Sequence, residues 1–97
     1  MDRITDATLR AIALRINKAM GSPEEPYTKN PDGSFHANPG NYHISGAYGG
    51  VCLHRMYNTA GGVSDVFSGG YAPKRSLAER MYAFLKGIEA AQDAATR

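Results

Sequence analysis

The sequence has no tryptophan and a single cysteine, Cys52, among 97 residues. One cysteine cannot close an intramolecular disulfide, so the fold rests on packing, as expected of a protein in a reducing compartment. An excess of charge of one sign is also missing: eleven Lys and Arg against nine Asp and Glu leave a net +2. That is too little for the electrostatic footprint of a nonspecific nucleic-acid binder, and it excludes an acidic DNA mimic. The charge-free stretches are broken by Gly, Asn, His and Ser, so none approaches the roughly 20 apolar residues that span a bilayer. No charged segment followed by an apolar run opens the chain, and a soluble cytoplasmic protein is expected. This length holds one domain with one small core, hiding roughly 60 to 68% of the unfolded surface. A multi-domain enzyme is excluded, and self-association into a homo-oligomer is expected to bury more.

What is present begins with a periodic stripe. Leu9, Ile12, Ala13, Ile16 and Met20 recur at helical spacing within 5–20, with Thr5 placed to cap the first turn and Gly21 and Pro23 to end the helix. Residues 22–39 carry four prolines plus Asn30, Asp32, Gly33, Ser34 and Asn38, and read as a long Pro-rich loop pinned by Tyr27 and Phe35. A second stripe, Leu77, Met81, Phe84, Leu85 and Ile88, marks a helix over 76–95, with Ser76 and Glu79 as a capping box.

Between these helices charge nearly disappears. Between Asp32 and Asp65 the only formally charged side chain is Arg55, while the segment holds three histidines, three tyrosines and seven glycines. Tyr42 to Tyr48 and Val51 to Asn58 read as strands joined by a Gly49-Gly50 turn, which would set Tyr48 opposite Val51 and Tyr42 opposite Tyr57. Alternation then puts Tyr42, Ile44, Tyr48, Val51, Leu53, Arg55 and Tyr57 on the core side, and His43, Ser45, Ala47, Cys52, His54 and Met56 on the other. A turn at Thr59 to Gly62 and a third strand over Val63 to Phe67 complete an antiparallel meander over 41–67. A short helix over 51–60, capped by Gly61, is the alternative; length and aromatic content favour the strand. The expected fold is α+β: N-terminal helix, small antiparallel β-meander, and C-terminal helix packed on the sheet.

Several chemistries can be weighed on these residues. Cys52 and His54 share a strand face, but their spacing along the strand leaves them neighbours and not a nucleophilic dyad. His43, His54 and Cys52 would be the only metal ligands in reach, without the tight paired spacing of zinc sites, and no metal or cofactor is assigned. Glu24-Glu25 and the helix acids lack the arrangement of paired catalytic carboxylates and read as solvated. The stronger pattern is an anion cradle. Gly49-Gly50, Gly61-Gly62 and Gly69-Gly70 allow backbone amides to approach a phosphate, with Arg55, Lys74 and Arg75 as cations and Tyr48, Tyr57 and Tyr71 as stacking faces. The plain reading of these glycine pairs is three turns.

Read together, Tyr42-His43-Ile44-Ser45-Gly46-Ala47-Tyr48-Gly49-Gly50-Val51, Leu53-His54-Arg55-Met56, Gly61-Gly62-Val63-Ser64-Asp65-Val66-Phe67 and Pro73-Lys74-Arg75-Ser76-Leu77 resemble small accessory proteins of tailed bacteriophages and prophages, over roughly residues 9–90. The resemblance implies a protein made in a bacterial host cell that binds a host component, often one of antiviral defence. The leading expectation is a non-enzymatic, anti-defence binding protein that sequesters a phosphate-bearing nucleotide signal through the cradle residues. Two alternatives are a protein–protein inhibitor of a host defence enzyme, using an exposed sheet edge or the charge-poor hairpin, and a nucleic-acid binder. The nucleic-acid reading uses Arg10, Arg15 and Lys18 with Lys74, Arg75, Arg80 and Lys86, cations that equally serve to keep two amphipathic helices in water.

Overall fold

A computed structural model describes residues 3–96. The chain runs α1 (Asp6–Met20), β1 (Tyr27–Lys29), β2 (Phe35–Ala37), β3 (Tyr42–Ala47), β4 (Gly50–Met56), β5 (Val63–Asp65) and α2 (Lys74–Ala95). The architecture is α+β, with a two-stranded β1-β2 sheet, a three-stranded β3-β4-β5 sheet, and both helices on one face of the larger sheet.

Helix α1 starts where the sequence predicts. The Thr5 hydroxyl accepts the Thr8 N–H at 3.2 Å, and the Thr5 N–H in turn donates to the Thr8 hydroxyl at 3.4 Å. Leu9, Ile12, Ala13 and Ile16 are buried as the stripe requires, but Met20 is exposed and Asn17 takes the inner position instead. Helix α2 begins two residues earlier than expected, and Ser76-Glu79 is not its cap. Pro73 is the N-cap, with no side-chain capping bond. Its ring already holds φ at −58°, and its carbonyl accepts the first helical bond from Leu77.

The 22–39 segment is not wholly loop. β1 and β2 pair antiparallel around a turn in which the Asp32 carboxylate accepts both the N–H and the hydroxyl of Ser34. The signal was Asp32-Gly33 between two short β-prone runs, a hairpin pattern hidden by the prolines around it. Of the two residues expected to pin it, Phe35 is exposed, while Tyr27, half exposed, brings its hydroxyl to 3.3 Å from where a Gly61 side chain would stand; Ala37 is its buried residue.

The main hairpin forms in a register displaced by two from the expected one. Tyr42 lies opposite Arg55, and Ala47 opposite Gly50, so Tyr48 and Gly49 make the turn with φ of 53° and 73°. Gly50 is held inside the strand by Ala72. A Cβ on Gly50 would sit 3.0 Å from the Ala72 backbone, which exchanges both hydrogen bonds with Val51. A displacement of two preserves which side each residue faces. Tyr42, Val51 and Leu53 therefore meet Leu77, Met81 and Leu85 in the core, as expected. Tyr48 and Tyr57, assigned to that side, are exposed, whereas Cys52 and Met56 on the opposite side are buried. The third strand is shorter than expected and ends at Asp65; beyond it Val66 still donates its N–H to the Leu53 carbonyl of β4 at 3.0 Å, and Val66 and Phe67 pack against the core.

Candidate functional site

The predicted cradle residues fall into two groups separated by the length of β4, about 20 Å at 3.3 Å per residue. At the hairpin tip, Tyr48 is 95% exposed with its ring edge-on to Tyr71 at 5.6 Å, beside Gly49 and Gly50. At the far end, Arg55 lies 6.0 Å over the Tyr42 ring, and Tyr57 packs where a Gly62 side chain would stand, next to Gly61. Lys74 and Arg75 open α2, and the Lys74 ammonium is paired with Asp6 at 3.4 Å. Of the helix cations, Arg15 is likewise paired, with Glu89 at 3.8 Å.

Two of the three glycine corners already spend amides on the protein itself. The Asn58 side-chain oxygen accepts from Ala60 and Gly62. The Asp65 carboxylate accepts from Phe67 and Ser68 at one oxygen and from Gly70 at the other, at 2.7 Å. Partial burial pushes the Asp65 carboxyl up, but the bonds from the Gly70 amide, the Cys52 thiol and the Phe67 and Ser68 amides outweigh it and hold the group below its ordinary range. The loop after β5 is thus an anion nest with an internal anion in it.

Cys52 is buried, and burial together with its bond to Asp65 pushes the thiol up to about 11. A thiol held protonated in this way is not a nucleophile at neutral pH. His43 and His54 stand directly opposite each other, ring centroids 5.8 Å apart and nearly perpendicular, with Tyr71 beside His54 and hydroxyl-bonded to Ser45 at 3.1 Å. Burial, and then the neighbouring His54, hold His43 below the usual imidazole range. Among the described residues no group of three or more His, Cys, Asp or Glu converges as metal ligands, and no helix is long and apolar enough to cross a membrane.

A different feature is an open strand edge. β3 is an edge strand, bonded to β4 on one side only. In an antiparallel ladder alternate residues point their N–H and C=O outward. The buried Asn17 side chain identifies the outward set, because it caps Tyr42 by donating to its carbonyl at 2.9 Å and accepting its N–H at 2.8 Å. Among the described residues, no side chain caps the next outward residues, Ile44 and Gly46, in this way. They border a groove of about 550 Å³ between β3 and α1, with Ala13, Leu14, Ile44 and Val51 as apolar lining, Glu24 to Pro26 at one end and Arg10 on the helix wall. Sequence reading singled out an exposed sheet edge without locating it; Asn17, a polar residue on the buried side of an amphipathic helix, is the signal that would have placed it. Comparison with protein-family models, with curated proteins and with solved structures finds no significant match to this chain.

Proposed function

We propose that the protein is a non-enzymatic binding protein that takes up an extended polypeptide segment along the free edge of β3. The observation that carries this reading is the pair of outward-facing residues Ile44 and Gly46, uncapped among the described residues, beside an apolar-lined groove. Strand addition uses such an edge: main-chain hydrogen bonds supply affinity, and pockets for alternate side chains supply selectivity. The groove volume suits several residues of extended chain, and exposed Gly46 offers no side chain to obstruct an approaching backbone. A phosphate-bearing nucleotide finds less support, since its proposed contacts are divided between the two ends of the sheet and two of the glycine corners have amides already engaged. The likeness to phage accessory proteins would make the bound polypeptide a bacterial host protein.

The test is selection of peptides from a displayed random library, followed by fluorescence anisotropy on the peptides recovered. Gly46→Pro removes one outward N–H, leaves every ladder bond to β4, and suits an edge strand. Binding should weaken tenfold or more in that variant, and N-methylation of alternate peptide amides should abolish it while methylation of the intervening ones does not. Failure to select any peptide, or affinity indifferent to both changes, overturns the reading.

A further inference from the structure

Resting on that reading of the β3 edge, we infer that the segment it takes is cationic at one end, carrying Lys or Arg where it passes Glu24 and Glu25. The groove has a charge order along its length. Three hydrogen bonds fix the 23–26 turn against the residues leading into β3: Asn41 Nδ2 donates to the Pro23 carbonyl at 2.9 Å, Asn38 Nδ2 to the Glu25 carbonyl at 2.9 Å, and the Asn38 N–H to the Pro26 carbonyl at 2.9 Å. The two glutamates are thereby held at the Tyr42 end by their backbone, while both side chains stay exposed. Among the described residues neither carboxylate has an ion-pair partner.

The other end of the groove has the opposite character. Asn17 meets Tyr42, so α1 runs back from that point toward the Gly46 end, and Arg10 lies about 10 Å along it at 1.5 Å per residue. The remaining acid of the groove, Asp6, is engaged by Lys74. A strand lying between these walls therefore meets two free carboxylates at one end, an apolar middle formed by Leu14, Ile44 and Val51, and a guanidinium at the other. The complementary partner is an extended segment with apolar side chains at alternate positions and a basic terminus, and a cation placed at the Arg10 end would be repelled.

The probes are short capped peptides of alternating valine and threonine, tagged with a lysine pair or a glutamate pair at one terminus or the other, titrated by anisotropy at low salt. One of the lysine-tagged probes should bind about tenfold tighter than its glutamate counterpart, since two exposed pairs change from attraction to repulsion. The preference should shrink with added salt and reverse in the Glu24→Lys, Glu25→Lys double variant, whose substitutions lie on an exposed turn. Equal binding of lysine- and glutamate-tagged probes, or a preference that the double variant leaves intact, overturns the cationic inference while edge binding itself stands. Failure of every probe to bind overturns both.

Discussion

At Asp65 a single side chain organises the whole turn that leads into α2, accepting amides from Phe67, Ser68 and Gly70. Asp65→Asn replaces one accepting oxygen by a donor and removes the charge, so at least one of those amides loses its partner. Bonds to ionised groups contribute about 1.5–3 kcal/mol, and with the partial exposure of Asp65 we expect a loss of about 2 kcal/mol, read from urea denaturation at neutral pH. The native carboxyl lies below its ordinary 3.8, so the unfolded chain binds its proton first. Its contribution is complete above that value and is lost as pH falls through the lower native one, and the variant should show a flatter acid limb. His43 acts in the same direction in a milder range. Its native value lies below 6.5, because burial and then His54 disfavour the cation, so stability should fall as pH drops below about 6.5. Asn41 faces the ring at 3.1 Å, and His54 is the titratable neighbour across the ladder. In thermal melts between about pH 7.5 and 5.5, His43→Gln should lose part of this decline; an unchanged slope would exclude His43 as its source.

Among the elements, the polar contact between α1 and β3 runs through one amide side chain, beside their shared apolar core. Asn17 is 2% exposed and closes both outward groups of Tyr42. Asn17→Ala leaves a buried donor and a buried acceptor without partners, at a cost of about 2–4 kcal/mol, and the Tyr42 amide should then exchange with solvent much faster in native-state hydrogen exchange. Loss below about 1 kcal/mol would mean that water replaces the side chain there. The elements also show what a single sequence can express. The faces of the main hairpin were legible because alternation survives an even displacement, whereas the register was not, since Gly50 serves the close approach of Ala72 and not the turn. That approach couples residues far apart in sequence. Similarly, Ser76-Glu79 is a sound local capping pattern, but Pro73, arriving with helical φ, starts α2 first. The site was legible only as a class of surface: the glycine corners and aromatics stand out in composition, while the open edge appears only when the pairing partners of β3 are known.

For the molecule as a whole, one core joins both helices to the larger sheet, and the β1-β2 sheet stands apart from it with Ala37 as its buried residue. Opening should therefore proceed in two steps of different cost. Amides of β1 and β2 are expected to exchange through local opening, while those of β4, flanked by β3 and β5, exchange only with global unfolding. Equal protection of the two sheets would mean that the small hairpin belongs to the same cooperative unit. The closure of Tyr42 by Asn17 has a consequence for anything that pairs with β3. It acts as a stop: a visiting chain can zip along Ile44 and Gly46 but meets a filled position at the third outward residue. Strand pairing between two open edges is prone to slip in steps of two, and a fixed terminus abolishes that freedom. The protein would then choose among visiting chains partly by counting, accepting the alignment in which the last bond falls just short of the stop.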